Sequence, residues 1–175
     1  MNARNIRRVV TGTNSAGRST IISDGPSPTV VGGPAFTAVQ AWRVESTPAD
    51  LGPAETAETG RVNMNPPRAG AVCWVCYIEP DSAWRSGAAG TGAEAFADAS
   101  GGADPMHVTD AVDFVQVISG EVYAVLEETE TLLGPGDVLI QRGTPHAWSN
   151  RSTEVCILAC VAIGADPASR RQEAG

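Results

Sequence analysis

From Met106 to Ile163 the chain is a succession of short β-branched and aromatic runs, each closed by glycine, proline or small polar residues. This feature narrows the possible folds more than any other. Val112–Ser119, Glu121–Glu127, Asp137–Gln141, Ala147–Asn150 and Val155–Ile163 each read as a strand. Gly120, the Gly134-Pro135-Gly136 triplet, Gly143 and Asn150-Arg151-Ser152 separate them. β-branched side chains lose rotamer freedom in a helix but pack well on a pleated surface. Short strands at this spacing predict an all-β fold, an antiparallel sandwich or barrel.

The upstream half is looser. Arg7–Thr11 and Ser19–Ser23, separated by a glycine-containing turn, predict a hairpin, and Ala35–Val44 predicts a further strand carrying Trp42. Residues 46–69 are rich in Pro, Ala, Glu and Thr without apolar period and read as a long connection. Ala71–Glu79 is a strand, and residues 86–105 form an irregular stretch in which Phe96 is the single aromatic. The expected organisation is one structural domain: N-terminal strands and a connecting arm over 1–69, a core over 70–165, and a polar tail over 166–175.

Composition excludes several kinds of function. A formal charge of −8 and a pI near 4.7 argue against nucleic acid and anionic membrane surfaces, which need clustered positive charge. All twelve basic residues are arginine. Without lysine there is no Schiff base, no anchored pyridoxal phosphate and no P-loop lysine. No organic cofactor is expected. Proton transfer falls to the two histidines, His107 and His146, to carboxylates, tyrosines and cysteines. The N-terminus has no apolar central region like that of a signal peptide, and no apolar run reaches membrane-spanning length, so a cytoplasmic location is expected.

Cys73 and Cys76 have zinc-like spacing but lie in a strand, where residues three apart point to opposite faces. Cys156 and Cys160 sit in the last apolar run. All four read as reduced core residues.

The chain reads Gly101, five residues, His107-Val108-Thr109, three residues, Asp113, six residues, Gly120. Later it reads Gly136, four residues, Gln141-Arg142-Gly143, two residues, His146, three residues, Asn150. In order and spacing these stretches resemble the two signature motifs of the cupin superfamily. Thr109 replaces the second His of the first motif, and Asp113 replaces its Glu. In the second motif Gln141 replaces a Pro, and the first spacer is one residue shorter. The resemblance implies a cupin-type jelly-roll barrel, a double-stranded β-helix, with the N-terminal strands as additions. It also implies a homodimer.

His107 and Thr109 are two apart on a strand and share a face. Asp113 would lie about 20 Å from His107 on a straight strand, at roughly 3.3 Å per residue, so it returns to that point only if the chain turns at 110–112. The resemblance then brings His146 across the barrel. It implies that His107, Asp113 and His146 hold a divalent metal such as Fe, Mn, Ni or Zn. Thr109 is a poor ligand and leaves one family position unfilled. The residues equally allow metal-free work, with His107 and His146 as general acid and base and Asp113 orienting one of them, or two buried histidines with no chemistry. Asp110 and Gln141 are candidate proton or substrate contacts, and Thr109, Tyr123, Arg142 and Trp148 candidate substrate-binding residues. The expected function is an enzyme acting on a small oxygenated metabolite by a non-redox lyase or isomerase step. An Fe(II) oxygenase and a non-catalytic binding module are the alternatives.

Overall fold

The computed structural model describes residues 4–52, 63–85 and 106–167. Eleven strands and one short helix follow in order: β1 (Arg7–Thr13), β2 (Ser19–Pro26), β3 (Val30–Gly32), β4 (Phe36–Val44), β5 (Ala71–Ile78), α1 (Asp81–Arg85), β6 (Ala111–Ser119), β7 (Val122–Val125), β8 (Glu130–Leu133), β9 (Val138–Gln141), β10 (Ala147–Ser149) and β11 (Cys156–Gly164). The expected all-β jelly roll is what is found. Among the described residues no helix is long and apolar enough to cross a membrane.

A six-stranded antiparallel sheet runs β3-β4-β5-β11-β6-β9, and a three-stranded sheet runs β10-β7-β8. Alternation decides which side chains turn inward. On β6, Ala111, Asp113, Val115 and Val117 are buried while Phe114, Gln116 and Ile118 are exposed, the period of two that a half-covered strand requires. The inward residues of both sheets, among them Val72, Trp74, Val115, Val122, Ala124 and Leu158, form one apolar core. At about 1.5–3 kcal/mol for each large side chain buried, this cluster dominates the stability of the fold. The strands β1 and β2 pair only with each other, as an N-terminal hairpin, and Arg8 stacks over Trp42 of β4 at 5.5 Å.

Three elements were not visible in the sequence. β3 is only three residues long, β8 exposes three of its four residues, and α1 is too short for a 3.6-residue period to emerge. The irregular stretch 86–105, with Phe96 and Gly101, lies outside the described residues, as do most of the tail and the middle of the long connection.

Two joints fix how the sheets face each other. Gly120, at φ +73°, carries the chain from β6 in one sheet to β7 in the other. A Cβ there would lie 2.6 Å from the carbonyl oxygen of Val155 and 2.9 Å from Cys156 Cα. Asn150, fully buried, donates from Nδ2 to the carbonyls of Ile78 (3.0 Å) and Glu154 (2.8 Å). Its Oδ1 accepts from the Ser152 backbone N–H (3.0 Å) and hydroxyl (2.7 Å), so the side chain ties β5 to the turn before β11.

Gly120→Ala combines a left-handed backbone with a backbone clash, and we expect it to lower unfolding free energy by about 2–4 kcal/mol. Chemical denaturation checks this; a change below about 0.5 kcal/mol would contradict the packing described.

Candidate functional site

His107 precedes β6 and His146 precedes β10, and the two form an isolated antiparallel bridge. The His107 N–H donates to the His146 carbonyl at 2.9 Å, and the His146 N–H returns the bond at 3.0 Å. Directly opposed residues on antiparallel strands place their side chains on one face. The imidazole centroids are accordingly 4.3 Å apart, with the planes tilted by 52°. After His107 the chain bends at Asp110 and re-enters the sheet as β6, which turns Asp113 inward.

These groups open into a cavity of about 120 Å³. Its polar side carries His107, His146, Thr109 and Asp113; Phe36, Trp74, Trp148 and Leu158 supply apolar walls. Trp148 meets His146 edge to face at 6.0 Å between centroids.

Burial sets the electrostatics. His146 is 5% exposed, and its pKa is pushed down to about 4, first by loss of solvent and then by the charge of His107, with the bond to Thr144 opposing. That bond joins Nδ1 to the Thr144 carbonyl at 3.0 Å. A carbonyl can only accept, so Nδ1 carries the hydrogen and Nε2 keeps its lone pair. Asp113, 6% exposed, is pushed up to about 6 by burial, against the lowering effect of a 3.2 Å hydrogen bond donated by Thr109 Oγ1 to Oδ2. Its other oxygen, Oδ1, is buried without a hydrogen-bond partner among the described residues.

The family model described as a cupin domain matches residues 96–162, the stretch that carries both histidines and Asp113. Part of this chain is similar to proteins of Diaporthe leptostromiformis and Aspergillus oryzae. Over 53 residues it is 47% identical to phomopsin biosynthesis cluster proteins C' and D of Diaporthe leptostromiformis, covering 30% of this chain and 28% of each of theirs. Over 75 residues it is 41% identical to oryzines biosynthesis cluster protein J of Aspergillus oryzae, covering 41% of this chain and 42% of that one. The chain thus spans well under half the length of these relatives. Solved structures with a similar fold include a putative ethanolamine utilization protein q from Salmonella typhimurium, with TM-score 0.45 and 11% identity over 94% of this chain and 100% of that one. A Cupin 2 conserved barrel domain protein from Salinispora arenicola aligns with TM-score 0.43 and 16% identity over 80% and 83%. Likenesses this distant carry no argument about chemistry.

Among the described residues no group of three His, Cys, Asp or Glu side chains is arranged to hold a metal. Thr109, where the family has a second His, instead holds Asp113 through a hydrogen bond. The described residues therefore present two imidazoles and a separately held carboxylate.

Four candidates from the sequence lie off the cavity wall. Asp110 is exposed, and its carbonyl accepts from the Ala165 N–H at 2.9 Å. Arg142 is exposed on the turn after β9. Tyr123 lies beneath the Arg151 guanidinium at 4.0 Å, which is itself paired with Glu130. Gln141 is buried opposite Asp113 in the β6–β9 ladder, but its amide donates to the Thr144 carbonyl (2.8 Å) and to the Thr144 hydroxyl. Since that carbonyl also holds His146 Nδ1–H, Gln141 is a positioning residue.

Sequence reasoning missed Met64, Asn65 and Pro66, which reach the cavity from the long connection, and Cys76 and Cys160. The cysteines had a signal: Cys76 shares the parity of inward-facing Val72 and Trp74. Burial raises both thiols, Cys76 to about 12, so they are protonated and inert near neutral pH.

Gln141→Leu keeps side-chain bulk but removes both donors. It should destabilise the fold by about 1–3 kcal/mol and move His146 away from a dominant Nδ1–H tautomer. Imidazole nitrogen NMR reads the tautomer directly, and an unchanged spectrum would sink the positioning role.

Proposed function

We propose that this cupin is an enzyme of small-metabolite biosynthesis that moves a proton at a carbon next to a carbonyl, in a non-redox lyase or isomerase step. The similarity to biosynthesis cluster proteins supports the setting. One observation carries the chemistry: the buried Asp113 carboxylate lines the same cavity as two imidazoles in contact.

In water an imidazole is a stronger base than a carboxylate by more than two pKa units. Burial reverses the order here, with Asp113 near 6 and His146 near 4. A proton taken in this cavity therefore resides on Asp113 in preference to His146. Asp113 is the general base, with Thr109 holding its Oδ2. The imidazole pair faces the charge that develops on the substrate oxygen and hands back a proton where the reaction requires one. The apolar walls exclude water and strengthen these interactions.

The pH dependence follows from the sign of the Asp113 shift. A base must be ionised to act, so kcat/KM rises with pH, is half-maximal near pH 6 and levels off above it, while His146 adds no limb above about pH 4. Thr109→Val removes the bond that lowers the Asp113 pKa, so its midpoint moves to higher pH. Asp113→Asn should lower turnover by about 10²–10⁴-fold. Deuterium exchange next to the carbonyl across a panel of small carbonyl compounds measures all three. A pH-independent rate between 5 and 7, or oxygen uptake on addition of Fe(II), would overturn the proposal.

A further inference from the structure

The outer face of the six-stranded sheet is covered unevenly. Over β5 the chain's own N-terminal residues lie on it: Tyr77 donates to the Asn5 carbonyl at 3.3 Å, beneath the Arg4 guanidinium at 5.2 Å. Over β11, β6 and β9 the outer face is open among the described residues. There Phe114, Ile118, Val138, Ile140, Val161 and Ile163 keep 38–55% of their surface exposed. The register makes them one patch. Ile140 stands opposite Phe114, and Phe114 opposite Val161; Val138, Ile118 and Ile163 extend this row along the three strands.

A sheet face that meets water ordinarily turns polar side chains outward. Here the outward positions of the three strands carry no charged residue, and Gln116 is the single polar one. β11, with the sequence Cys-Ile-Leu-Ala-Cys-Val-Ala-Ile-Gly, has the composition of a strand covered on both sides. Area and charge indicate the cover. Together the six side chains expose about 500 Å², in the upper range for the largest apolar patch of a monomer. Two copies laid face to face would bury about 1,000 Å² from these residues alone, the size at which specific interfaces begin. A partner recognised by its charge needs a charge to meet, and this face offers none. A second copy of the chain has the opposite need. Each carries a formal charge of −8, so two copies approach best where no like charges are opposed.

We infer that this face is the contact between two copies of the chain, related by a two-fold axis so that each presents the same patch. The outer faces of the two sheets then pack about 10 Å apart, with Phe114, on the central strand of the three, in the middle of the contact. The inference goes beyond the reaction proposed for the cavity and does not depend on it.

Sedimentation velocity of the full chain between about 1 and 100 μM tests it, with an expected mass twice the 18.1 kDa of one copy. Phe114→Glu sets two carboxylates into the apolar contact and should weaken association at least about 100-fold. Because Phe114 is exposed, the far-ultraviolet circular dichroism of the monomer should stay that of the unmodified chain. Val138→Glu, on β9 at the end of the sheet, is the second variant and decides should the first not fold. Ile21→Glu, on the exposed N-terminal hairpin, adds the same charge outside the patch and should leave association within about threefold. A monomer at 100 μM overturns the inference, as does a mass beyond two copies. A dimer that survives a folded face variant, or that Ile21→Glu disrupts while the face variants do not, also overturns it.

Discussion

Two backbone hydrogen bonds between His107 and His146 hold the site together. They join points far apart in the chain, one before β6 and the other before β10, and these strands belong to different sheets. Because the bridge is antiparallel and the residues are directly opposed, both imidazoles emerge on one face. A single-residue slip in pairing would send one of them to the other face. Gln141 and Thr144 brace the His146 side of the bridge, and the bend at Asp110 brings Asp113 back beside the His107 side.

The same burial acts on four ionisable groups that line this cavity, in the direction that favours the neutral form of each. It raises the carboxyl of Asp113, lowers the imidazole of His146, and raises the thiols of Cys76 and Cys160. The thiols are removed from neutral-pH chemistry, while the carboxyl and the imidazole exchange their usual rank as bases. Thr109 has a particular part in this. A histidine at that position would add a third imidazole; the hydroxyl instead donates to one oxygen of Asp113, while the other has no partner among the described residues. The substitutions that separate this chain from the family motif change how its carboxylate is held.

Much of the fold was legible because half-covered strands write their geometry into alternation. The hairpin β1–β2, the strands β4, β5, β6, β9 and β11, and the crossing at Gly120 all follow from period-two patterns and glycine punctuation. Where that code is weak the reading failed: β8 exposes most of its residues, β3 is three residues long, and α1 is a single turn. The site was legible in its centre, since spacing brought out His107, Thr109, Asp113, His146 and Trp148, which all line the cavity. It was not legible at its edges. Gln141 and Tyr123 have plausible chemistry, but their partners, Thr144 for one and Arg151 for the other, engage them elsewhere.

By itself the sequence determined the all-β class and the order of the main strands, because strand period is a property of the chain alone, while the meeting of two distant histidines beside one acidic residue was implied by the family resemblance. Only the tertiary structure showed that Gln141 and His146 share the Thr144 carbonyl, and that residues of a proline-rich connection wall the cavity. It also decided the rank of the bases. Hydrogen-bond partners and desolvation depend on which atoms meet in space, and neither quantity has a value until the sheets have closed on each other.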